Sequence, residues 1–159
     1  METILRQLEE IQNRKIQGEL TLTMIQKILG EPSSLRNFQR FTLFKEQKYQ
    51  RNTVLWYPTF ELVCICWLPG QASSIHSHGV TSGGMRVVQG SVFEENYSNA
   101  HEKPLNRVIH EVGRCGWVTP NTLHRVGNAS NSPAVTIHLY SPPFQTAAVP
   151  QTLPKVVAA

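Results

Sequence analysis

What the sequence lacks narrows its reading first. It has no cysteine framework: Cys64, Cys66 and Cys115 are an odd set without paired spacing, so disulfides are not what organises the chain. Cys64 and Cys66 alternate with Val63, Ile65 and Trp67 in a strand-like run, which predicts buried, reduced thiols and a reducing compartment. A thiolate metal site is the sharper alternative, but this Cys-x-Cys has no second pair to complete it. No apolar stretch is long enough to cross a bilayer, and no basic–apolar–small-residue leader opens the chain. The basic residues behind the formal charge of +4 are scattered, with no Lys/Arg run, so the charge reads as a solvated surface. That excludes a nucleic-acid or membrane-surface patch. The expectation is a cytoplasmic monomer without nucleic-acid or membrane partners.

What is present is a globular composition. Apolar residues reach 40% against 16% charged, and 159 residues suffice for one domain with a substantial core. Residues 2–17 carry Ile4, Leu5, Leu8 and Ile11 at helical spacing, with Gly18 as a stop. Residues 21–29 give a shorter helix with Leu22, Ile25 and Leu29 on one side and Gly30 after it. Ser33 or Ser34 then caps a third, carrying Leu35, Phe38 and Phe41. From Tyr49 the pattern changes to short β-rich runs near 49–56, 60–68, 74–78, 84–89, 91–97, 105–111, 115–118, 123–128 and 134–140, divided by turn residues. Many short strands without intervening helices predict a mainly β barrel or sandwich of jelly-roll type. The expected organisation is a single domain over 1–159: a small α-helical layer (1–45), the barrel (46–144) and a C-terminal arm (145–159).

The chemistry centres on histidine. Residues two apart on a strand share a face, so His76 and His78 can aim two imidazoles at one point. Neutral imidazole suits Fe, Cu, Zn or Ni. His124 lies in a similar run between Pro120 and Asn128, and a third ligand from there leaves one side of a metal open. Thr136, His138 and Tyr140 also alternate on one strand face, a pattern for a hydrogen-bonded chain that aims the Tyr140 hydroxyl. The alternative is a polar ladder lining the barrel without chemistry. His138 reads as an orienting group and not as a fourth ligand.

The spacing Gly70, five residues, His76-x-His78, four residues, position 83, six residues, Gly90 resembles the first motif of the cupin superfamily, a small β-barrel that holds a metal inside. One position departs: Gly83 stands where the usual glutamate ligand belongs. Pro120 to Asn128 resembles the second motif in looser form, with Thr122 for its glycine and one residue fewer before the histidine. The resemblance narrows further. Trp67 to His78 resembles the metal-binding stretch of the cysteine dioxygenases, and Tyr49-Gln-Arg51-Asn52 their substrate-binding Tyr-x-Arg segment. His124 to Ser130 and Pro133 to Phe144 are similar to their C-terminal signature.

That resemblance implies a cupin β-barrel with His76, His78 and His124 binding Fe(II). It implies that Arg51, with Tyr49 and Tyr140, binds the substrate, Arg51 taking its carboxylate. Tyr140 and His138 would serve catalysis, Thr136 and His138 standing behind the site. The reaction implied is that of L-cysteine with O₂ to cysteine sulfinate. Ser141-Pro142 resembles the family's cis-proline turn. Animal members carry, at the position of Gly83, a cysteine joined by a thioether to the tyrosine matching Tyr140; with glycine there, no such crosslink is expected. Two other readings stay open. One is a dioxygenase of 3-mercaptopropionate, whose bacterial kind places glutamine where Arg51 stands. The other is a non-enzymatic cupin that binds a small ligand or stores metal. His101 and His110 match nothing and are expected on the surface.

Overall fold

The computed structural model describes residues 2–13, 18–31, 38–100 and 102–144. Two helices come first, α1 (Glu2–Asn13) and α2 (Leu22–Gly30). Thr21 caps α2 by accepting the backbone N–H of Met24 at 3.3 Å, satisfying one of the donors a helix start leaves open. Of the span expected as a third helix, the described residues Phe38–Phe41 form a 3-10 turn. Ser33, Ser34, Leu35, the last residues of the first expected helix (14–17), His101 and the arm (145–159) lie outside the described residues.

Among the described residues nine strands follow: β1 (Gln50–Tyr57), β2 (Phe60–Trp67), β3 (His76–Ser77), β4 (Ser82–Gln89), β5 (Ser91–Tyr97), β6 (Asn106–Glu111), β7 (Cys115–Val118), β8 (Leu123–Asn128) and β9 (Ala134–Ser141). They form two antiparallel sheets, one in the order β1-β2-β9-β4-β7 and the other β3-β8-β5-β6. The architecture is mainly β with a helical layer. The strand-like run at 74–78 condenses to two residues. Ser73 before it bonds Val126 through its backbone N–H, and Val126 in turn bonds the Ser73 hydroxyl. His78 therefore lies just beyond β3.

β2 shows why the layers stack. All eight of its residues are buried because both of its faces are covered. Phe60, Leu62, Cys64 and Cys66 join Ile4, Leu8, Ile25 and Leu29 of the helices in one core. Val63, Ile65 and Trp67 belong to a second core between the sheets, with Met85, Val87, Val92, Val126 and Tyr140. Each fully buried apolar side chain of this size contributes about 1.5–3 kcal/mol. The thiols of Cys64 and Cys66 are free and buried, and that of Cys115 is half-buried. Cys64 and Cys66 fall in the helix-side core, away from the histidines. Gly90 turns β4 into β5 at φ +68°, where a Cβ would lie 2.9 Å from the Pro133 carbonyl oxygen, so only glycine fits this corner. No described helix is long and apolar enough to cross a membrane.

Candidate active site

The metal site is built on the β3–β8 ladder. His76 and His124 are direct register partners, so the second histidine-bearing run is a neighbour of the first and not merely a distant contributor. His78 Nε2 lies 3.0 Å from His76 Nε2 and 3.0 Å from His124 Nε2. The opposite ring nitrogens fix two of the rings. His76 Nδ1 donates to the Ser74 carbonyl oxygen at 2.9 Å, and His124 Nδ1 to Glu94 Oε1 at 2.8 Å. Both partners accept, so in these two histidines Nδ1 carries the proton and Nε2 presents a lone pair.

Three nitrogens converging on one point repel one another unless a cation lies among them, so this donor set fits a divalent metal. The His78 Nδ1 is buried and has no partner among the described residues. Burial, then the neighbouring His124 and His76, pull the His78 imidazole down to about 3, and burial lowers His76 as well. Neutral rings are the form that ligates. Among the described residues these three form the one group of His, Cys, Asp or Glu able to hold a metal ion.

Glu94 supports the centre from behind. One carboxylate oxygen takes His124 Nδ1–H and the other lies 3.0 Å from His110 Nε2. Burial pushes this carboxyl up, but the bonds from His110 and His124 outweigh it and hold the group at about 2. His110 is therefore not a surface residue, as expected from sequence, but is buried at 9% exposure. It points inward from the edge strand β6, whose other residues are exposed, because Glu94 offers it a charged acceptor.

The facing sheet supplies the other wall. Tyr49, Arg51, Ile65, Trp67, Tyr140 and Phe144 line, together with His76 and His124, a cavity of about 140 Å³. Tyr49 stacks on Trp67 with ring centroids 4.6 Å apart. Thr136, His138 and Tyr140 share one face of β9: Thr136 Oγ1 lies 2.7 Å from His138 Nε2, and Tyr140 Oη 2.7 Å from His138 Nδ1. Trp67 extends the chain by donating Nε1–H to Thr136 Oγ1 at 2.9 Å. Burial, then the charge of Arg51, hold His138 well below its usual range, and burial pushes the Tyr140 phenol up. The ring of Phe144 stacks on His78, centroids 4.3 Å apart. The peptide bond Ser141–Pro142 just before it is cis.

Gly83 is the direct register partner of Tyr140. A Cβ built there would lie 2.4 Å from Tyr140 Cδ1. Position 83 thus abuts the Tyr140 ring on the five-stranded sheet, away from the β3–β8 ladder that carries His76 and His124. Arg51 Nη2 lies 3.1 Å from Glu61 Oε1, and the same oxygen accepts the Phe144 backbone N–H at 2.9 Å. Sequence reasoning passed over Glu61, Glu94 and Phe144. A signal for the two carboxylates exists: Glu61 alternates with Val63, Ile65 and Trp67, and Glu94 with Val92. A carboxylate on the apolar face of a strand stays there only with partners.

The family model for cysteine dioxygenase type I matches residues 1–149. Curated relatives include cysteine dioxygenase type 1 of Danio rerio, 30% identical over 156 residues, covering 92% of this chain and 76% of the relative. That of Homo sapiens is 33% identical over 138 residues, covering 80% of this chain and 68% of its own. Among solved structures, a Klebsiella pneumoniae protein with a double-stranded β-helix domain superposes with a TM-score of 0.59 at 17% identity, over 68% of this chain and 90% of that one. An RmlC-like cupin from Desulfovibrio desulfuricans gives 0.57 at 17%, over 69% and 96%. These two likenesses concern the fold, which is that of the cupins. With a histidine triad able to hold a metal inside a cupin fold and a family match over nearly its whole length, this chain belongs to the cysteine dioxygenase type I family.

Proposed function

We propose that this protein is an iron-dependent dioxygenase converting L-cysteine and O₂ to cysteine sulfinate. The observation that carries this reading is the convergence of three histidine Nε2 atoms beside a small cavity whose opposite wall holds the half-buried Arg51. The reaction balances without a reductant: RSH plus O₂ gives RSO₂H, sulfur losing the four electrons that O₂ takes up. Fe(II) held by His76, His78 and His124, when bound, supplies the centre at which thiolate and O₂ meet.

The protein's own groups do the rest. Arg51 presents a rigid fork to the substrate carboxylate and keeps its charge when buried, so the sulfur is delivered in one orientation. Tyr49 and Trp67, stacked together, form an apolar floor that limits water in the pocket. We read the hydrogen-bond chain with one tautomer: Trp67 Nε1–H donates to Thr136 Oγ1, and the Thr136 hydroxyl donates to His138 Nε2. His138 then donates Nδ1–H to the Tyr140 oxygen, and the Tyr140 proton is left to point into the cavity. A phenol held un-ionised by burial is a hydrogen-bond donor to an oxygen that gains charge during reaction. The free thiols of Cys64, Cys66 and Cys115 suit a reducing, cytoplasmic setting.

The test is O₂ uptake by the iron-loaded protein with cysteine, 3-mercaptopropionate and cysteamine, with product masses. Cysteine should be consumed fastest and gain both atoms of O₂. Faster turnover of 3-mercaptopropionate would make that the substrate, and no uptake with any thiol would make the protein a metal-binding cupin without this activity.

A further inference from the structure

Glu61 is a buried carboxylate on the barrel-facing side of β2, 6% exposed, and it is not needed to fill the metal centre. Its Oε1 receives two donors at once: Arg51 Nη2 at 3.1 Å and the backbone N–H of Phe144 at 2.9 Å. The Arg51 guanidinium lies 5.7 Å from the ring centroids of both Tyr140 and Phe144. Phe144 in turn lies on His78. One oxygen therefore ties the anion-binding group to the aromatic ring that rests on a metal-binding histidine.

A guanidinium has five N–H donors and Glu61 engages Nη2 alone, so the fork keeps donors for a ligand while its direction is set. The negative charge of Glu61 also offsets that of Arg51. A pocket meant only to attract anions would gain from an apolar residue at position 61, leaving the arginine charge whole. We infer that Glu61 is a positioning and specificity residue: it aims Arg51, holds Phe144 over the site and moderates the attraction of the pocket for carboxylates. This rests on the reading of Arg51 as the carboxylate-binding group.

The two roles separate under substitution. Glu61→Gln keeps an oxygen to accept from Arg51 and Phe144 but removes the charge. Glu61→Ala removes both. With iron-loaded protein kept free of O₂, binding of cysteine and of cysteamine, which lacks the carboxylate, is followed through the fluorescence of pocket residue Trp67. The Gln variant should bind cysteine roughly tenfold tighter than the unaltered protein and cysteamine unchanged, since one like charge near the bound carboxylate is gone. The Ala variant should lose turnover severalfold beyond any change in binding, with iron content and circular dichroism unaltered, because neither Arg51 nor Phe144 is held. If the Ala variant does not fold, the Gln variant alone decides. A Gln variant whose preference for cysteine over cysteamine equals that of the unaltered protein overturns the role of Glu61. Equal affinity of the unaltered protein for both thiols would instead overturn the role given to Arg51.

Discussion

Gly83→Ala should damage the enzyme through Tyr140 without touching the metal. The added Cβ would lie 2.4 Å from Tyr140 Cδ1 and 3.0 Å from Cε1, with the Leu139 carbonyl oxygen at 3.1 Å on its other side. Carbon atoms rest at about 3.5–4.0 Å, so the ring must retreat by about 1 Å. The bond from Tyr140 Oη to His138 Nδ1 is 2.7 Å long, and a shift of that size takes it beyond hydrogen-bond length. Overpacking costs about 1–3 kcal/mol and the lost bond about 0.5–1.5. Together they lower Tm by roughly 3–18 °C for a chain of this length. Turnover should fall as far as it does in Tyr140→Phe, about 1.5–3 kcal/mol for a bond to a charged group, with iron content kept in both. Because the two changes act on one contact, the double variant should be less impaired than the sum of the singles. Thermal melts, iron analysis and steady-state turnover on the three variants decide it. A Gly83→Ala protein that melts and turns over like the unaltered one would refute the packing of Tyr140 against β4.

Arg51→Gln should raise KM for cysteine by roughly tenfold to a hundredfold, the worth of a charge-assisted bidentate contact, and leave KM for cysteamine nearly unchanged; equal effects on both thiols would count against a carboxylate site. Glu94→Gln should weaken metal binding by about 10–100-fold, read by competition with a chelator, since the amide cannot match the carboxylate that accepts His124 Nδ1–H. Acid should destabilise the metal-free protein between about pH 7 and 5. His78, held near 3 when folded, takes up a proton more readily once unfolded, at about 6.5. Its contribution is therefore whole above that value and falls by about 1.4 kcal/mol at about pH 5.5. His76 and His138, lowered in the same sense, add to the loss, and Tm measured against pH checks it. Finally, intact mass should not change over extended turnover, because Gly83 offers Tyr140 no sulfur; a product lighter by two hydrogens and mapped to Tyr140 would show another residue in that role.

Most of the barrel was legible because its punctuation is local. Gly-Ser, Pro-Gly and Asn-Ser-Pro segments end strands through their own backbone preferences, and the nine β-rich runs correspond to nine strands within a few residues. The convergence of His76, His78 and His124 was legible from the motif spacing, but the strand argument behind it holds only in part. His76 pairs His124 on the β3–β8 ladder, while His78 lies just past the end of β3. What was not legible came from contacts between elements far apart in sequence. His110 turns inward because Glu94, sixteen positions away, lies diagonally opposite it on the neighbouring strand β5. Phe144 reaches His78 only because the chain bends after β9. Of the third expected helix only its later residues are described: Phe38 and Phe41 pack against the helix-side core from a 3-10 turn.

The two sheets divide the labour of the site. His76, His124, Glu94 and His110 sit on β3, β8, β5 and β6, all in one sheet, with His78 just past β3. Arg51, Glu61, Trp67, Gly83, Thr136, His138 and Tyr140 sit on β1, β2, β4 and β9, all in the other. On the proposed function, substitutions along β1, β2 and β9 would alter which thiol is taken while the histidine set stays in place on the other sheet. Tyr140 and Phe144, both against His78, are where a change in one half would be felt by the other.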